Sequence, residues 1–148
     1  MTLIFFTDRD LGKQVPAVLR AAGLTVERHI DHFEDTTKDE EWLSEVGRRG
    51  WFALTHNSRI RYMPNERDAV MLSGVGLFIL IGQTTHLELA ENFVVTIQPV
   101  EKFIKKNDRP FIAKVYRPSP SGTKKQHREP GRVELWLSYD QWLRIPRR

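Results

Sequence analysis

Val75-Gly76-Leu77-Phe78-Ile79-Leu80-Ile81 is a seven-residue run without a polar side chain. Successive residues of a strand face opposite sides, so a run that is apolar at every position needs cover on both faces, as inside a parallel sheet. The segments on either side supply that cover. Upstream, Trp51–Leu54 reads as a strand, and Pro64-Asn65-Glu66 opens a helix that carries Ala69, Val70 and Leu72 and stops at Gly74. Leu3–Phe6 predicts the first strand, and Leu11, Val15, Val18, Leu19 and Ala22 recur at helical spacing until Gly23. Asp10 suits the N-cap of that helix. Leu24–Val26 opens the second strand, Ile30–Thr37 reads as a polar loop, and Thr37-x-x-Glu40 predicts a capping box ahead of Trp42, Leu43 and Val46.

Downstream, Thr85-x-x-Glu88 predicts another capping box before Leu87, Ala90, Phe93, Val94 and Ile97, with Pro99 marking a break or kink. Phe111–Tyr116 and the alternating Val133, Leu135 and Leu137 predict two strands in a hairpin, joined by a polar loop over residues 118–131. Sustained strand–helix alternation implies an α/β fold: a three-layer α/β/α sandwich with a mostly parallel central sheet and a C-terminal β-hairpin extension. The expected division is a core over residues 1–100 and a basic strand–loop extension over residues 101–148, packed on the same domain.

The chain has 148 residues and no cysteine, which excludes thiol nucleophiles, zinc ribbons and disulfide scaffolds and fits a cytoplasmic location. The longest apolar segment is far short of the roughly 20 residues that span a bilayer, so no membrane association is expected. The opening Met1–Asp8 lacks a basic n-region and reads as a strand rather than a signal peptide. The net charge of +4 hides a division: residues 1–101 carry 10 Lys and Arg against 15 Asp and Glu, and residues 102–148 carry 13 against 4. Clustered cations interleaved with Phe111, Tyr116, Trp136, Tyr139 and Trp142 suit a polyanion, single-stranded nucleic acid above all, although some of these rings must be core.

In a doubly wound sheet, ligands bind beyond the carboxyl ends of the strands where strand order reverses. Those ends carry Thr7-Asp8-Arg9-Asp10, then His29 to Asp35, then Thr55-His56-Asn57-Ser58-Arg59. Crowded carboxylates raise one another's pKa and persist most easily around a divalent cation; oxygen donors without cysteine favour Mg²⁺ or Mn²⁺. Asp8 is the leading candidate ligand. Asp35, Asp39 and Glu40 lie in or near a helix start, and Asp35 ranks first among them. His29 and His32 lack an evident third ligand and read as loop residues. Arg59 and Arg61 flank the mouth and suit a phosphate. Gly-rich phosphate loops, the Gly-x-Ser-x-Gly elbow and His-Glu-x-x-His do not occur. A phosphoacceptor receiver domain fails on position, because His56-Asn57 stand where its Asp is needed.

Phe5-Phe6-Thr7-Asp8-Arg9-Asp10-Leu11, Leu19-Arg20-Ala21-Ala22-Gly23-Leu24-Thr25-Val26, Asp39-Glu40-Glu41-Trp42-Leu43 and Gly50-Trp51-Phe52-Ala53-Leu54-Thr55-His56-Asn57 together resemble the PIN-like group, and within it the PIN-like domains of VapC-type toxins. The resemblance covers residues 1–82. It implies a metal-dependent endoribonuclease that hydrolyses RNA as the toxin of a toxin–antitoxin pair. It implies catalytic roles for Asp8, Asp35 or Asp39, and Asn57, with Mg²⁺ or Mn²⁺ on Asp8, Asp35 and Asn57. Arg59, Arg61, Lys124, Lys125 and Arg128 are the residues expected to contact RNA. Expected partners are RNA, an antitoxin protein and, in a homodimer, a second copy of the chain. Asn57 departs from the pattern, which has an acid at that position, and removes one negative charge from a site meant for a dication. The alternative is a catalytically inactive PIN-like domain that binds RNA or protein.

Overall fold

The computed structural model describes residues 2–118 and 129–146. Six strands form one sheet: β1 (Ile4–Thr7), β2 (Thr25–Arg28), β3 (Phe52–Thr55), β4 (Gly76–Leu80), β5 (Phe111–Val115) and β6 (Val133–Ser138). Their spatial order is β2-β1-β3-β4-β5-β6, parallel except for the antiparallel pair β5–β6. That pair is the expected hairpin, with an irregularity between Ile112 and Ala113.

Side-chain alternation divides the core as the Val75–Ile81 run requires. Phe78 and Leu80 point to one face with Phe5, Leu54 and Phe111, and Leu77 and Ile79 point to the other with Phe6, Ala53 and Ile112. The first face is covered by α1 (Gln14–Ala21), α5 (His86–Val95) and α6 (Ile97–Lys106) through Leu19, Phe93 and Val100. The second is covered by α3 (Asp39–Arg49), α4 (Pro64–Leu72) and α7 (Tyr139–Leu143) through Trp42, Leu43, Val70 and Trp142. The architecture is therefore the three-layer α/β/α sandwich. Burying a large apolar side chain stabilises by about 1.5–3 kcal/mol, so these two clusters dominate the folding energy.

Several local expectations are corrected. The stretch after β2 is not all loop: His29–His32 forms the single-turn α2. Lys38, not Thr37, stands at the N-cap of α3 and makes no side-chain cap bond, so the negative first turn Asp39-Glu40-Glu41 is what favours this helix start. Thr85 caps α5 by accepting the Glu88 N–H at 3.1 Å, but the Glu88 carboxylate takes the Thr84 hydroxyl instead of reaching back to the cap. The break attributed to Pro99 falls at Thr96, and Pro99 lies within the first turn of a second helix, where its missing N–H costs nothing. Asp10 does not cap α1, whose N-cap is Lys13.

Gly47 lets α3 and α4 meet closely: a Cβ there would lie 2.1 Å from the Ser73 carbonyl oxygen. Gly50 ends α3 in the left-handed region at φ 74°, its N–H returning to the Gly47 and Val46 carbonyls.

Candidate active site

Strand order reverses around β1, whose neighbours are β2 and β3, and the crevice beyond its carboxyl end is where the acids gather. β1 ends at Thr7 and a short 3₁₀ turn over Arg9–Leu11 follows. Asp8 begins that turn, its Oδ1 accepting the Arg9 N–H at 2.7 Å. Its Oδ2 accepts the Thr55 hydroxyl at 2.9 Å, and the same hydroxyl oxygen lies 3.2 Å from Asp10 Oδ2. Thr55 has one proton to give, so the two carboxyl groups compete for it. Asp10 also accepts the His56 N–H at 3.1 Å, and the His56 ring is anchored 2.8 Å from the Gly82 carbonyl oxygen.

Burial, and then the charge of Asp10, push the Asp8 carboxyl up to about 7 despite the hydrogen bonds that lower it. Asp10 is raised too, mainly by desolvation. Asp39, in the first turn of α3, adds negative potential at both Asp8 and Asp10, and its own Oδ1 is fixed by the Trp42 indole N–H at 2.9 Å. Glu66, in the first turn of α4, completes the acidic group. Burial and then Asp39 raise its carboxyl to about 7, and its Oε1 is enclosed without a hydrogen-bond partner.

The sequence-predicted residues distribute unequally around this cluster. Asp8 and Asp39 lie in it. Asp35 does not reach it: the side chain is 71% exposed and pairs with the Arg9 guanidinium at 3.3 Å. Asn57 follows β3 but is occupied as a cap, its Oδ1 accepting the Arg59 N–H at 3.1 Å at the start of a 3₁₀ turn over Ser58–Tyr62. The charge of Arg59 acts in the opposite sense on Glu66, lowering its carboxyl. Arg61 turns away, onto the rings of Tyr62 and Trp136. Lys124, Lys125 and Arg128 lie outside the described residues. His32 pairs with Glu27 at 2.7 Å, and His29 is 2% exposed among Phe6, Phe33 and Trp42, where burial lowers its pKa. Both behave as fold residues.

Sequence reasoning gave too little weight to Asp10 and missed Glu66. The Pro64-Asn65-Glu66 opening is an ordinary helix start, and only the close packing of α4 against α3 turns that first-turn acid toward Asp39. Among the described residues, no group of three or more His, Asp or Glu side chains is placed to hold a metal ion, so the four acids are a carboxylate cluster and not a formed metal site. Nor is any helix among them long and apolar enough to cross a membrane.

The family described as "PIN like domain" matches residues 3–82, a stretch that contains all four clustered acids. The chain is 33% identical over 78 residues to a Mycobacterium tuberculosis protein named "Putative ribonuclease VapC45", a match covering 49% of this chain and 56% of that protein. The chain thus spans little more than half the length of this relative. No solved structure matches the chain. The family match extends over more than half of the chain and over the acids at its switch point, and the chain belongs to the PIN-like domain family.

Proposed function

We propose that the acidic cleft hydrolyses RNA phosphodiesters with Mg²⁺ or Mn²⁺, and that the protein is the toxin of a toxin–antitoxin pair. The observation that carries this reading is the convergence of Asp8, Asp10, Asp39 and Glu66 on the crevice beyond β1 and β3. The donor type, carboxylate oxygen, is the one a hard divalent cation takes, although no three of these side chains are placed to hold one in this structure. Glu66 Oε1 is buried without a partner, and Asp8 Oδ2 and Asp10 Oδ2 share one Thr55 hydroxyl proton, beside the Arg9 N–H on Asp8 Oδ1 and the His56 N–H on Asp10 Oδ2. All the available donors are oxygens.

Asp8, Asp10, Asp39 and Glu66 would hold the ion, which when bound supplies charge neutralisation for a phosphodiester and lowers the pKa of water. The remaining work falls to the chain itself. Thr55 fixes the orientation of the Asp8 and Asp10 carboxyls, and the His56 N–H fixes Asp10 from the β3 side. Without an ion, burial and the charge of Asp10 hold the Asp8 carboxyl near 7; a bound dication would favour its ionised, ligating form. Arg59 stands ready to position a phosphate at the edge of the acids. Asn57 Oδ1 keeps one lone pair beyond its cap bond and is a neutral ligand at most. The ribonuclease name of the mycobacterial relative supports the reading, and the toxin role and antitoxin partner extend it.

The second reading, a PIN-like domain that binds RNA without cutting it, is favoured by Asn57, which is neutral and already engaged as a cap. Cleavage of single-stranded and structured RNA by the purified protein, in Mg²⁺, Mn²⁺ or chelator and beside an identically purified Asp8→Asn variant, separates the two. Metal-dependent cleavage that vanishes in the variant is expected. Equal inactivity of both proteins, with RNA still bound, would establish the second reading.

A further inference from the structure

Beyond the acidic cleft, the 3₁₀ turn that starts at Asn57 ends in Arg61 and Tyr62, and these begin a row of alternating rings and cations. The Arg61 guanidinium lies 5.9 Å from the Tyr62 ring and 5.0 Å from the Trp136 ring. The Lys114 ammonium lies 4.2 Å from Trp136 and 5.9 Å from Tyr116, and the Arg132 guanidinium stands 4.0 Å over Tyr116. Tyr62 and Trp136 also meet edge to face at 5.6 Å. Four of these six side chains come from β5, β6 and their flanks, outside residues 3–82 that define the family.

Cation–ring contacts explain part of the arrangement, at about 0.5–1 kcal/mol each where exposed. They do not explain the charge. Three cations in one row repel one another, and among the described residues none of them forms a salt bridge, although six salt bridges occur elsewhere. Glu134, paired in register with Lys114, sets one carboxylate beside the row and accepts the Tyr116 hydroxyl at 3.0 Å, which leaves its charge in place. The row therefore carries three cations against one carboxylate among the described residues, with an open ring, Tyr62, at one end: Tyr62 is 67% exposed. Phosphates would neutralise the cations and bases would stack on the rings, a pairing that single-stranded nucleic acid offers and duplex, with its bases internally stacked, does not.

We propose that Tyr62, Arg61, Trp136, Lys114, Tyr116 and Arg132 form a binding track for single-stranded RNA, leading the strand into the acidic cleft. This rests on the ribonucleolytic reading for its purpose but is tested without cleavage. The full chain carrying Asp8→Asn, in chelator, is titrated with a fluorescent 12-mer oligouridylate, the same length of duplex RNA, and a poly-glutamate peptide as competitor. Tyr62→Ala is expected to weaken oligouridylate binding about five- to tenfold, in line with the loss of one stacked base. Arg61→Gln combined with Lys114→Gln should reduce the slope of log K against log salt by about 1.4. Circular dichroism and melting of each variant confirm that the fold persists, and Tyr62 is exposed enough for its removal to leave packing intact.

Affinity of these variants equal to that of the Asp8→Asn parent would overturn the track, as would equal affinity for duplex, displacement by poly-glutamate at matched charge, or no oligouridylate binding by the parent. Track-dependent binding in a wild-type protein that does not cleave RNA would remove the nuclease reading and leave the track standing.

Discussion

Asp8 is held at a cost to the fold. Its carboxyl titrates near 7 in the folded protein and near 3.8 in an unfolded chain, so between those values the folded form keeps a proton that the unfolded form has released. Stability from this group is present at pH 4 and declines as pH rises through 7. In chelator, Asp8→Asn should therefore melt like wild type near pH 4, gain on it as pH rises and exceed it by about 2–3 kcal/mol at pH 8, three pKa units setting the upper bound at roughly 4 kcal/mol. Equal stability of the two proteins at both pH values would show that Asp8 is not strained. Asn57→Asp tests the other unusual position. An added carboxylate should raise the affinity for Mn²⁺ measured by calorimetry, and a resulting gain in cleavage would mean that the natural cleft is not tuned for maximal turnover. The departure at Asn57 was visible in the sequence because its neighbours matched the family pattern. Its role as a cap was not, since capping depends on where the following Arg59 N–H points.

At the scale of elements, legibility followed the cause of each feature. The β4 run was readable because burial on both faces leaves no place for a polar residue. The Thr85 start of α5 was readable because an N-cap is a local event. Thr37 failed as a cap because the charged first turn of α3 begins after Lys38, and α7 was missed although Ser138 and Gln141 form a full capping box, its five residues being too few to show a period. The α3–α4 contact belongs to the same class as Glu66: it depends on tertiary approach, which a lone Gly47 does not announce. Gly47→Ala should cost about 2 kcal/mol or more in urea unfolding, because the methyl group would meet backbone rather than a movable side chain. Thr85→Ala should cost about 1 kcal/mol in the same assay. A neutral Gly47→Ala would mean that α3 and α4 can part freely, and Glu66 with them.

For the molecule as a whole, strand order decides where chemistry can occur. The strand-end rule led from sequence to the end of the sheet where the acids gather, yet it could not distinguish Asp35 from Asp39, because the two are only four positions apart, Asp35 in the connection after α2 and Asp39 in the first turn of α3. If the cleft holds a divalent cation, Mg²⁺ or Mn²⁺ should raise the wild-type melting temperature at pH 7.5 and leave Asp8→Asn nearly unchanged. No shift in wild type at millimolar metal would argue against the metal site. The placement of β5 and β6 at the far end of the sheet has a further consequence. All four clustered acids precede residue 67, and Lys114, Tyr116, Arg132 and Trp136 follow residue 113. If the acids cut RNA and the row holds it, a change in the late part of the sequence would alter which RNA is held and leave the acids untouched, so substrate preference and bond-breaking would vary as separate traits.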